Sequence, residues 1–227
     1  MTRALSLLAV LSFGAIFAGV VLGYAERDSL SALAEQYLTL VPRDLGAANV
    51  VTGILITYRG FDTLGEVAVL FMVAAGVGLL LADKGEAAAP ASTARRPSEL
   101  VGNGAEIILP LIFVFGAYVI KNGHLSAGGG FQGGAVVASG TMLLLLALPG
   151  TRINHAFLSV TESLAGVVYV GIGILGLVFA AGFLDSHLLP LGEFGTLVSA
   201  GTIPVISALL GIKVGAELSV IIDRFRN

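Results

Sequence analysis

The sequence predicts an all-α polytopic membrane protein, with about six transmembrane helices and one short interfacial or re-entrant helix. Three observations carry that prediction. Of the 227 residues 56% are hydrophobic and only 12% charged, about half the charge of an ordinary soluble domain. Six apolar runs approach the roughly 20 residues that cross a hydrocarbon core as a helix. The 31 glycines are about twice the usual share and lie scattered through those runs with no collagen period, as helix packing in lipid favours. There is no cysteine, which excludes disulfides, thiolate nucleophiles, Fe–S ligation and Cys-based zinc sites. The net charge of -3 is dispersed over loops and indicates neither nucleic-acid binding nor a polybasic lipid patch.

Taken in order, the first run covers 4–24. Arg3 ahead of it and the small residues after it also suit a cleaved signal peptide. Its length, and the Gly19-x-x-x-Gly23 notch, favour a retained span. Within 26–62, residues 45–58 are apolar but too short and too often interrupted by Thr and Gly to span, hence the interfacial or re-entrant reading. The second run is 63–82, the third 106–120 (short unless it starts near Leu100), the fourth 131–148, the fifth 164–183 and the sixth 194–222. Residues 83–97, DKGEAAAPASTARRP, read as a linker. Extended to 99, it separates a two-helix part, 1–82, from a four-helix part, 100–227, and the two parts share no detectable similarity.

Orientation follows the cations. With both termini cytoplasmic, Arg3, Lys84, Arg95, Arg96, Arg152, Arg224 and Arg226 fall inside and Arg27, Arg43, Arg59 and Lys121 outside, an excess in the expected direction.

A carboxylate or ammonium inside a span costs roughly 2.5 to 3.5 kcal/mol on insertion scales, so each one asks for a reason. Asp62 and Glu66 are four apart, on one helical face, with Arg59 placed to pair with Asp62. Asp62 alone also suits a helix N-terminus. Lys213 and Glu217 repeat the spacing in the sixth run, where Lys213 either snorkels to the nearer end or remains buried and acts on a carboxylate. Pro204 is expected to bend that helix. Glu106 and Glu162, near the starts of their runs, read as interfacial, with a relay role as the alternative. Asp185 and Glu193 bracket an outer loop and read as solvated.

Gly128-Gly-Gly130-Phe-Gln-Gly133 satisfies the letter of the dinucleotide motif without its strand or its acidic partner. Gly129, Gly130, Gly133 and Gly134 are better read as helix-packing positions. Lys121 and His124 adjoin this loop. His124, His155 and His187 all lie in loops, far apart in sequence, so no metal site is expected.

Two sets of segments then resemble one family. ANVVTGILITYRGFDTLGE, residues 48–66, resembles the C-terminal part of the large A subunit of Mrp-type multisubunit Na+/H+ antiporters and the matching small subunit of membrane-bound hydrogenases. GHLSAGGGFQGG (123–134), LGEFGTLVSAGTIP (191–204) and GIKVGAE (211–217) are similar to the B subunit (MnhB) of those antiporters, with Ala127 where that family usually has proline. The resemblance implies a fusion of two pieces into one small subunit of a larger assembly in the inner (plasma) membrane. Its partners would be other antiporter-like subunits, the lipid bilayer, Na+ and H+, with no cofactor and no catalysis of its own. The resemblance leaves open a redox-driven pump or hydrogenase as the host complex, or a purely structural spacer role.

Overall fold

The computed structural model describes residues 2–26, 28–82 and 98–226. Arg27, Lys84, Arg95, Arg96 and the linker lie outside them, as do the side chains of Arg3 and Arg226. Among the described residues there are eight helices and no strands, and six of the helices are long and apolar enough to cross a membrane.

The chain forms two units, Met1–Gln36 and Tyr37–Asn227. In the first, α1 (Thr2–Leu22) exposes its large apolar side chains along its length and has no acidic residue in its first turn and no basic residue in its last. Helix α2 (Ala32–Leu40) begins in this unit.

In the second unit the expected single interfacial helix is instead a series of short turns. A π-helical turn, Val41–Leu45, contains Pro42, which lacks the N–H an α-turn would use, and ends at Gly46 with φ +66°. Helix α3 (Val50–Gly53) is capped by Asn49, whose side chain accepts from Thr52 N. A second π-turn, Ile54–Tyr58, closes when Arg59 N donates to Ile54 O five residues back, 2.8 Å. The hydroxyl of Thr63 donates to Leu55 O, 2.7 Å, supplying a donor where the ladder widens.

Five spans form the bundle of this unit: α4 (Gly60–Ala82), α5 (Glu99–Lys121), α6 (Gly130–Ala147), α7 (His155–Phe179) and α8 (Ile203–Arg226). Three boundaries differ from expectation. Ser98 caps α5 at its N-terminus, so the third span is long enough. Asn154 caps α7, which starts nine residues early. The sixth span starts at Ile203, because Gly192, Gly195, Ala200 and Gly201 adopt positive φ and interrupt the apolar stretch before it. Pro204 therefore sits in the first turn of α8, where no intrahelical donor is needed, and bends nothing.

Helix α8 is the centre of the bundle, packing on α4, α5, α6 and α7. The main core joins Val41, Leu45 and Ile56 to Tyr169, Leu184, Ile203, Ile206 and Leu210. Helix α6 lies between α5 and α8. The outer faces of α4, α5 and α7 expose Phe71, Phe115, Val167 and many other large apolar side chains, as lipid or partner helices require.

Candidate functional site

Lys213 does not snorkel. In a helix running from Ile203 to Arg226 it lies mid-span, only 7% exposed. Its Nζ donates to Glu217 Oε1 one turn on, 2.9 Å, and to Glu162 Oε1 of α7, 2.9 Å. The ring of Phe71 on α4 lies 5.7 Å from the ammonium. Glu162 was expected at an interface. The early start of α7 places it two turns inside the helix, with a largely buried side chain.

Glu217 is wholly buried, and its Oε2 has no hydrogen-bond partner among the described residues. Two carboxylates face one ammonium, so the cluster holds a unit of negative charge in excess unless it binds a proton or a cation. In a span, an uncompensated charge of that kind is among the most costly features a fold can keep. The cluster borders two cavities. One of about 610 Å³ runs along α4 and α7 past Val67, Gly166 and Tyr169. The other, about 370 Å³, runs from Glu162 and Glu217 towards His155 and Arg224.

The remaining expected residues fall elsewhere. Arg59 and Asp62 form an ion pair, with both partners exposed. Glu66 is also exposed and opens on a cavity of about 310 Å³ shared with Thr52, Thr63, Gln132 and the loop glycines Gly128 to Gly130. The acidic face of α4 and the glycine loop, distant in sequence, thus meet at one place, separate from Lys213. Glu106 is exposed on α5 about two turns beyond its cap, inside a span and not at its edge. Glu193 is exposed in the loop before α8.

The glycine loop is held by a residue that sequence reasoning missed. Asn49 Nδ2 lies 2.8 Å from Gly123 O, 2.7 Å from Ser126 O and 2.8 Å from Thr52 Oγ1, and Asn49 N donates to His124 O, 2.9 Å. Gly129 at φ +141° and its neighbour Gly128 at φ +153° take a backbone shape that side chains resist. A helix precedes this loop and no strand does, so the dinucleotide context is missing. Lys121 Nζ donates to Leu197 O, 3.2 Å.

His124, in a loop as expected, is fully buried, with Nε2 3.2 Å from Thr196 O. Burial lowers its pKa and the Lys121 charge adds to this, while the Thr196 carbonyl opposes it. Asp185, expected to be solvated, is 9% exposed. It accepts from Ala181 N, His187 N and His187 Nδ1 at 3.0, 2.9 and 2.7 Å. Burial would raise its pKa, but these bonds overcome it and the net shift is downward.

Both shifts have one sign. A group whose folded-state pKa is depressed binds fewer protons folded than unfolded, so its stabilisation is complete at higher pH and declines on acidification. His124 acts below its ordinary value of 6.5, and Asp185 only below its ordinary 3.8. Hydrogen exchange at the Gly129 amide, bonded to Val119 O at 3.2 Å, is therefore expected to lose protection between about pH 7 and 5 in the native protein. In His124→Asn the protection should become flat over that range. An unchanged slope in the variant would exclude His124 as its source.

Residues 100–220 match a family described as a domain related to the MnhB subunit of Na+/H+ antiporters. The chain belongs to this family. Residues 1–95 match a second family, MbhE, the E subunit of MBH. The MnhB-related part carries the glycine loop, Glu162, Lys213 and Glu217, and the other part carries Asn49, Asp62 and Glu66.

An uncharacterized protein of Methanocaldococcus jannaschii is 28% identical over 236 residues, covering 92% of this chain and 87% of that protein. A probable K+/H+ antiporter A/B subunit of Rhizobium meliloti is 29% identical over 78% of this chain, which spans only 20% of that larger protein. Among solved structures, a chain of the membrane-bound sulfane sulfur reductase, an archaeal respiratory membrane complex, superposes with TM-score 0.79 at 36% identity, covering 99% of this chain and 97% of that one. A chain of the Mrp complex from Dietzia sp. gives 0.77 at 25% identity, covering 99% of this chain and 26% of that one. The MnhB-related and MbhE-like parts therefore recur together in single chains.

Proposed function

We propose that this chain is a small integral-membrane subunit of a multisubunit cation/proton antiporter module. The observation that carries the reading is the buried Lys213 between Glu162 and Glu217, an ionisable cluster that packing alone does not need. In this reading Lys213, Glu217 and Glu162 border an ion path at mid-span. Asp62 and Glu66, with Arg59, flank a second station beside the glycine loop. Lys121 and His124 set that loop, and Glu106 and Glu193 face neighbouring subunits. The chain acts on no substrate covalently, and Na+ and H+ are its cargo. Antiporter-like subunits cover its apolar faces in the inner membrane.

The test uses the intact complex in vesicles, following Na+-driven pH change. Glu66→Gln and Glu217→Gln are each expected to reduce exchange at least about tenfold, the loss of one charged group worth on the order of 1.4 kcal/mol or more in a barrier. Full exchange by both variants in a normally assembled complex would remove the path reading.

A second reading sets the same module in a respiratory complex, where redox chemistry in other subunits drives the ions. The near-complete mutual coverage with the sulfane sulfur reductase chain favours it. The proteins that copurify with this chain separate the two hosts.

A further inference from the structure

We propose that the opening between the start of α7 and the end of α8 is a proton-loading site for the buried cluster, with the His155–Asp223 pair as its exchanging group. The proposal deepens the reading of Lys213, Glu162 and Glu217 as part of an ion path and rests on it. No step assigned so far uses His155 or Asp223.

The pair is built against the grain of both helices. His155 is the first residue of α7 and Asp223 lies in the last turn of α8. A cation is disfavoured at a helix N-terminus and an anion at a C-terminus. Each is held by the other, with His155 Nε2 2.8 Å from Asp223 Oδ2. The Asp223 side chain is 3% exposed and the His155 side chain 45%. One member is thus locked inside and its partner reaches water.

The cavity of about 370 Å³ then connects His155 to the cluster. It is lined by His155, Ser159 and Glu162 along one face of α7, and by Glu217 and Arg224 on α8. At about 30 Å³ per water it has room for on the order of ten, and its polar wall offers them partners. The groups facing it complete the electrostatics. Arg224 Nη1 donates to Ala74 O of α4, 3.4 Å, and so stands at the mouth. Helix α4 adds only Phe71, Ala74 and Ala75. Lys213 closes the far end through its bonds to both glutamates.

An imidazole can accept a proton at one ring nitrogen and give it up again, and the half-exposed His155 reaches water while it touches Asp223. Neutral His155 takes a proton from bulk water. The imidazolium releases a proton to cavity water, which protonates a carboxylate oxygen of Glu162 or Glu217, and His155 returns to neutral. The proton relieves the excess negative charge of the cluster, which gives the transfer its direction.

The experiment is the pH profile of cation-driven exchange by the intact complex in vesicles, with His155→Gln, which keeps a polar side chain but cannot carry a proton. The variant is expected to slow exchange on the order of a hundredfold, the low end for a positioned acid–base group, with the KM for Na+ unchanged. The dependence on pH between about 5 and 8 should flatten, and added imidazole should restore much of the rate. A wild-type rate and profile in His155→Gln would overturn the proposal. So would a loss that is equal at every pH and indifferent to imidazole, which marks a structural contact. Full exchange in Lys213→Ala instead defeats the path reading on which the port depends, whatever His155→Gln does.

Discussion

Replacing Lys213 with alanine is expected to destabilise the protein by about 3–5 kcal/mol, the cost of leaving buried carboxylates without their cation. The cation touches Glu217, which is wholly buried, and Glu162, which is nearly so. Removing it also strips the aliphatic stem that packs beside Gly166 and Phe71. The thermal transition of the solubilised complex should fall accordingly. Removing all three charges together has the opposite expectation. A buried ion cluster replaced by uncharged groups of similar volume is often neutral or stabilising, so Glu162→Gln, Lys213→Met and Glu217→Gln in one protein should recover most of the stability lost in Lys213→Ala. Exchange should not recover with it. A triple variant that is both stable and fully active would show the cluster to be a structural relic. One as unstable as Lys213→Ala would show that its charges hold the helices together.

The spans were legible because about 20 apolar residues in a row have few other uses, but helix starts set by a capping residue ahead of the apolar run, such as Ser98 before α5, were not. Where the apolar stretch ran on past the helix, the boundary was lost. Phe194 to Ala200 is as hydrophobic as a span, and only its glycines, with Gly192, Gly195 and Gly201 at positive φ, mark it as a loop. Pro204 held the missing signal, since proline belongs in a first turn more often than mid-helix.

The same limits explain what was read of the site. Lys213 and Glu217, like Asp62 and Glu66, are visible because four residues make one helical turn. Glu162 is 51 positions from Lys213, and no periodicity relates two helices, so its place depended on where α7 starts. Its signal was Asn154, whose side chain accepts from Phe157 N at 3.0 Å. Asn49 was hidden for a related reason. Its bonds reach residues more than 70 positions away, and an asparagine before a short apolar run reads only as a cap.

The largest effect on assembly is expected at the face where α6 meets α8. Gly134 and Gly130 let the two backbones approach so closely that a Cβ at Gly134 would lie 2.8 Å from Gly211 O and 2.9 Å from Val214 Cβ, and one at Gly130 would lie 2.7 Å from Leu210 Cβ and closer still to Ser207 O. The obstacles include carbonyl oxygens of α8, which cannot rotate away as a side-chain tip can. Helix α6 is confined on its other side too, where a Cβ at Gly133 would come 2.8 Å from Gly116 O. It therefore cannot retreat from α8 without pressing into α5. Extra methylenes in a packed core cost typically about 1–3 kcal/mol each site when side chains can adjust, and here the backbone itself must move. Gly130→Leu and Gly134→Leu are expected to separate α6 from α8, shift the position of Lys213, and leave little of the chain in the purified complex. Gly171→Ala, on α7 where an added Cβ meets nothing within 4 Å, should assemble as the unaltered protein does. Gel filtration of the solubilised complex with each variant checks the contrast. Full incorporation of Gly134→Leu would mean that the helices are not held at this distance in the assembly.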